Sequence, residues 1–130
     1  MYSSVLVCIS NPRHVKEMTK LALSVSGKGA GLVFLRVVPV VNDWVVRQFD
    51  KDLSFMKRLK VSGRHVRYEK RIVEGSDISK AILEAARKGR ADLIVMGAVP
   101  HKGIFGSIRN IATYVMNNSG AAVVLVKSRQ

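Results

Sequence analysis

Cysteine occurs once in this chain, at Cys8, and proline three times, at Pro12, Pro39 and Pro100. A single cysteine excludes an internal disulfide framework, and within an apolar stretch it points to a reducing, cytoplasmic setting. No apolar run approaches the roughly 20 residues that a membrane-spanning helix needs. The opening MYSSVLVCIS lacks a basic segment and a small-residue cleavage site, so no signal peptide is expected. Acidic residues are also scarce. Nine Asp and Glu stand against 22 Lys and Arg, a formal net charge of +13. Such a surface attracts nucleic acid, anionic lipid head groups and phosphorylated ligands whatever its fold.

Several catalytic and cofactor signatures are missing as well. There is no G-x-G-x-x-G run and no G-x-x-x-x-G-K-[ST] loop. The first apolar run is followed by Ser10-Asn11, not by the acidic pair a phosphorelay receiver needs for its metal ion. His14, His65 and His101 are scattered, with no cysteine or carboxylate at ligand spacing, which argues against zinc. Nothing sets a base beside Cys8, and no carboxylate pair marks an acid–base site. No catalytic machinery is inferred, and a weak ATPase has the least support.

What remains is a regular alternation, with no linker, repeat or low-complexity segment, in a chain whose 130 residues fit one domain spanning 1–130. SSVLVCI (3–9) reads as a strand; Asn11-Pro12 opens a helix, with Val15, Met18, Ala22 and Val25 at helical spacing and Gly27 and Gly29 as its stop. GLVFLRVV (31–38) reads as a second strand and Trp44 to Val61 as a helix. Arg64 to Val73 alternates, with His65, Arg67, Glu69 and Arg71 on one side, which suits a strand near a sheet edge. Ser76 caps a helix with Ile78, Ile82, Ala85 and Ala86 on one stripe and Gly89 at its end. Asp92 to Met96 is a fourth strand, Ile108, Ile111, Ala112, Val115 and Met116 mark a last helix, and AAVVLV (121–126) a last strand. Continuous apolar strands between amphipathic helices imply an α/β fold, a parallel sheet covered on both faces. In such sheets ligands bind beyond the carboxyl ends of the strands, which selects Ser10-Asn11, Val37 to Val40 and Gly97 to Ser107.

Over nearly its whole length the chain resembles a universal stress protein domain. VLVCIS, GLVFLRVVPV, EGSDISKAILEAARKGRADLIVMG and NIATYVMNNSGAAVVLV carry the resemblance, and Glu74 to Gly97 is its most specific part. It implies a Rossmann-like three-layer sandwich with a five-stranded parallel sheet in the order 3-2-1-4-5, commonly a homodimer, in which some members bind ATP. Those members carry G-x-x-G, nine residues and G-[S/T] after the fourth strand, an aspartate after the first and a valine ending the second. Gly97 fills the first glycine and Val37 the valine. Pro100 replaces the second glycine, Ser10 stands for the aspartate, and Asn110-Ile111 or Arg109-Asn110 stands for G-[S/T], with Gly106-Ser107 just upstream.

Two readings of this loop stay open. In one, Ser10, Asn11 and Val37 line a base pocket, while Gly97, Val99, His101, Lys102, Gly103, Ser107, Arg109 and Asn110 form a modified phosphate cradle for ATP or another adenine nucleotide that regulates the domain. In the other, the loop is proline-stiffened and its basic residues face water; the domain is then a non-nucleotide interaction module. The cluster Lys57 to Arg71 would present its anionic ligand or polyanion site, docking nucleic acid, acidic protein or membrane. Either way the last strand carries no charge before Lys127, and Ala122, Val123, Val124, Leu125 and Val126 are expected to pair with a second copy in a homodimer.

Overall fold

The computed structural model describes residues 1–9, 15–39, 63–73, 78–98 and 108–127. Within them run β1 (Tyr2–Ile9), α1 (Val15–Val25), β2 (Ser26–Pro39), β3 (His65–Val73), α2 (Ile78–Lys88), β4 (Leu93–Ala98), α3 (Ile108–Asn118) and β5 (Ala122–Lys127). The sheet is five-stranded in the order β3-β2-β1-β4-β5, and all four pairings are parallel. The chain winds outward from β1 through β2 to β3, then crosses to the other side of β1 for β4 and β5. The expected helix over Trp44 to Val61 lies outside the described residues, as do the helix-start residues Asn11 and Ser76.

Side-chain parity explains why the central strands carry unbroken apolar runs. Val5, Val7 and Ile9 of β1, Leu32 and Phe34 of β2 and Leu93 and Val95 of β4 pack with Val15, Met18 and Ala22 of α1. Their neighbours Leu6, Cys8, Leu35, Ile94 and Met96 face the other way, against Ile82, Ala85 and Ala86 of α2 and Ala112 and Val115 of α3. Both faces are dry, so polar alternation has no place in these strands. β3, at the sheet edge, turns Val66 and Tyr68 toward the α1 layer, where Tyr68 stacks on Phe34 with ring centroids 5.5 Å apart. Its other face carries His65, Arg67, Glu69 and Arg71, as the alternation predicts.

The α1–β2 boundary differs from the sequence expectation for a local reason. β2 begins at Ser26, directly after α1, and Gly27 and Gly29 are strand residues there; Gly29 has φ +78° and the β1–β2 register shifts between Tyr2 and Ser4. The end of α1 is satisfied by Arg64, whose Nη2 donates to Leu23 O and Ser26 O, both at 3.0 Å. The helix therefore needs no glycine stop. At the end of α2 the left-handed residue is Arg90 (φ 50°), not Gly89. Ala91 N donates to Ala86 O and Arg90 N to Arg87 O, the paired bonds of a Schellman turn. Finally, Met116 of α3 is exposed, because α3 lies over the rim of the sheet and buries only the arc through Ala112 and Val115.

Candidate functional site

The direction of winding reverses beside β1, between its partners β2 and β4, and that is where a crevice opens at the carboxyl ends. Cys8 pairs with Met96 across β1 and β4, and Ile9 pairs with Arg36 across β1 and β2. A cavity of about 60 Å³ lies at this point on the α2 and α3 side of the sheet. Cys8 and Ile9 of β1, Leu35 and Val37 of β2 and Met96 and Gly97 of β4 contribute to its wall, closed by Ile78 and Ile82 of α2 and Ile111 of α3. Val37 and Gly97, matched separately to the ends of two strands, thus meet at one cavity.

The wall is apolar throughout. Cys8 is buried, and desolvation pushes its thiol up to about 12, so it contributes a small apolar group with a weak S–H and no nucleophilic thiolate. Glycine at position 97, itself buried at the end of β4, keeps the backbone open to close approach. A cavity this size is far below the roughly 300–1,000 Å³ of small-molecule sites. Arg36 of β2 shares the parity of Leu32 and Phe34, which face α1, and is not part of the cavity wall; its Nη1 donates to Ile9 O at 3.1 Å at the carboxyl end of β1.

The remaining site residues divide by where they fall. Ser10, Asn11, Val99, His101, Lys102, Gly103 and Ser107 lie outside the described residues. Arg109 and Asn110 are in the first turn of α3, the helix that contributes Ile111 to the cavity. Ala122 to Val126 lie in β5, an edge strand. Of the basic cluster, Lys57, Arg58 and Lys60 lie outside the described residues. Arg64 is occupied in capping α1, Arg67 bridges Glu69 at 3.2 Å, and Arg71 bridges Glu84 of α2 at 3.3 Å. Among the described residues no group of three His, Cys, Asp or Glu side chains is arranged to hold a metal ion. Nor is any helix among them long and apolar enough to cross a membrane.

Sequence reasoning missed Cys8, Ile78, Ile82 and Ile111 as cavity residues, since each also reads as plain core. The signal was parity: Cys8, Leu35 and Met96 share the face toward α2 at the ends of three adjacent strands.

A doubly wound parallel sheet with an apolar cavity at its switch point defines a Rossmann-like α/β domain. Within that class the chain belongs to the universal stress protein family, whose model matches residues 1–127. Solved structures agree on the fold. Hypothetical protein MJ0577 matches at TM-score 0.76 and 17% identity, over 100% of this chain and 99% of that one. The universal stress protein of Archaeoglobus fulgidus in complex with dAMP matches at TM-score 0.64 and 17% identity, over 97% and 98% of the two chains. A universal stress protein in complex with cAMP matches at TM-score 0.61 and 23% identity, over 97% of each. No curated protein matches the chain.

Proposed function

We propose that this domain is a regulatory module that binds an adenine nucleotide in the crevice at the carboxyl ends of β1, β2 and β4, and acts by binding, without turning its ligand over. The observation that carries the reading is the meeting of Val37 and Gly97 at one apolar cavity. An apolar floor of this kind suits the face of a purine. Ser10, Asn11 and Val37 would line the base, and Gly97, Val99, His101, Lys102, Gly103, Ser107, Arg109 and Asn110 the phosphates. Structures of family members with dAMP and cAMP support the ligand class. Pro100, which lacks an N–H, leaves the cradle one backbone donor short, so cationic side chains take a larger share of the phosphate binding. Calorimetry with ATP, ADP and AMP tests this. The reading requires saturable binding that Val37→Phe abolishes by filling the cavity; no heat at millimolar ligand overturns it.

The same module is a homodimer joined through β5. The two sheet edges differ in a way that supports this choice. The β3 edge carries Arg67, Glu69, Lys70 and Arg71, whereas β5 is uncharged from Ala122 to Val126 and leaves Leu125 45% exposed. Charged edges resist pairing and apolar edges invite it. Light scattering on the eluting protein should give twice the 14.3 kDa chain mass; a monomer at micromolar concentration would remove the dimer and leave the nucleotide reading intact.

A further inference from the structure

At the opposite end of the sheet from the switch-point crevice, a second and much larger hollow lies between α2 and the turn joining α3 to β5. Its volume is about 580 Å³, within the range of small-molecule sites. Lys80, Leu83, Glu84 and Arg87 recur on one stripe of α2 and line one wall; Arg90 and Ala91 continue that wall beyond the helix, and Asn118 to Ala121 form the other. At 1.5 Å per residue, Lys80 and Arg87 lie roughly 10 Å apart along α2, and Arg90 follows just past its end. None of the three makes an ion pair among the described residues. The one carboxylate in the lining, Glu84, is already held by Arg71 at 3.3 Å and Lys88 at 3.7 Å. The nearby Asp92 is turned to β1, where its carboxylate accepts from Ser3 N and Ser4 N, both at 2.9 Å. The hollow thus carries three cations and one carboxylate, a net positive charge, beside Leu83, Ala86, Ala91 and Ala121.

Arg90 adds an independent observation. It occupies the left-handed position of the Schellman turn, where glycine is favoured and an L side chain is strained. A glycine is present one residue earlier, at Gly89, where φ is not positive. Backbone strain at a non-glycine residue is a pointer to function when the side chain faces a site, and this one faces the hollow. Across from it, Ser119 Oγ accepts from Ala121 N at 3.0 Å, which leaves its own proton to be donated.

We propose that this hollow is a second ligand site, distinct from the switch-point crevice, that takes a small organic phosphate: the phosphate held by Arg87, Arg90 and Ser119, the apolar body laid on Leu83, Ala86, Ala91 and Ala121. It does not depend on nucleotide binding at the carboxyl ends. Titration of the ¹⁵N-labelled full chain with an aryl phosphate, 4-methylumbelliferyl phosphate, tests it. The expected result is saturable amide shifts at Arg90, Ala91 and Ser119 to Ala121, with Gly97 unmoved. Inorganic phosphate should move the same amides at least fivefold more weakly. Arg90→Gly relieves the strain at the turn, so it should unfold at a higher temperature than the parent while binding the aryl phosphate at least fivefold more weakly. Absent shifts at millimolar ligand, shifts confined to Gly97, equal affinity for inorganic phosphate, or unchanged affinity in Arg90→Gly would each overturn the proposal.

Discussion

Val37 and Gly97 line one cavity although they belong to strands on opposite flanks of β1. Parallel register makes this so. With Cys8 beside Met96 and Ile9 beside Arg36, the three strands are in step where β1 ends, and the next residues on β2 and β4 border the same space. The α2 and α3 helices close it with isoleucine side chains, so whatever enters meets an apolar floor first.

Arg64 ties the start of β3 to the end of α1 through Leu23 O, Ser26 O and Ser26 Oγ. Hydrogen bonds from a charged group contribute about 1.5–3 kcal/mol in favourable cases. Arg64→Met keeps the aliphatic stem and removes the donors to Leu23 O at the end of α1 and Ser26 O at the start of β2. Urea unfolding should show a loss of about 2 kcal/mol with an unchanged m-value. A change below about 0.5 kcal/mol would assign Arg64 to the solvated basic face instead.

Asp92 links the start of β4 to the start of β1. Desolvation raises its pKa, but hydrogen bonds from Ser3 N, Ser4 N and the Ser3 hydroxyl together outweigh it, and the net shift is downward. A carboxylate depressed in the folded state adds stability above its unfolded pKa, about 3.9, and loses it as pH falls through the folded value. Thermal melts of the parent should therefore drop on acidification below about pH 4. Asp92→Asn should be less stable at neutral pH and should lose part of that acid dependence; a parallel pair of pH profiles would refute the linkage.

Leu125 sits on the outer strand and is half-exposed, so a charge placed there perturbs an association more than the fold. Leu125→Lys puts two like charges near the two-fold axis of a β5–β5 pair. Sedimentation equilibrium should show dimer dissociation at least tenfold stronger, with the melting temperature of the monomer within a few degrees of the parent. An unaltered dimer would locate the interface elsewhere.

The parallel sheet, its edge strands and two of the cavity residues were legible in the sequence because each rests on a local pattern. Unbroken apolar runs mark strands dry on both faces, the alternation of His65 to Arg71 marks a wet edge, and Gly97 ends an apolar run. What escaped depends on contacts between distant segments. Arg64 looks like one more cation in a basic run, yet it caps a helix far upstream in the chain. The helix does end before Gly89, yet the left-handed residue of its turn is Arg90, one position past the glycine. The hollow beside α2 was invisible for a similar reason. Lys80, Arg87 and Arg90 at helical spacing read as a solvated face until the α3–β5 turn supplies the facing wall.

The claim on which the proposed function stands is that a purine lies on the floor shared by Val37 and Gly97. Isotope-filtered NOE spectroscopy, with unlabelled ADP on ¹³C-labelled protein, tests it directly. The account predicts cross-peaks from the adenine H2 or H8 to the methyl groups of Val37 and to those of Ile82 or Ile111. Cross-peaks only to residues of β3 or of the hollow beside α2, or none from bound nucleotide to Val37, would contradict it.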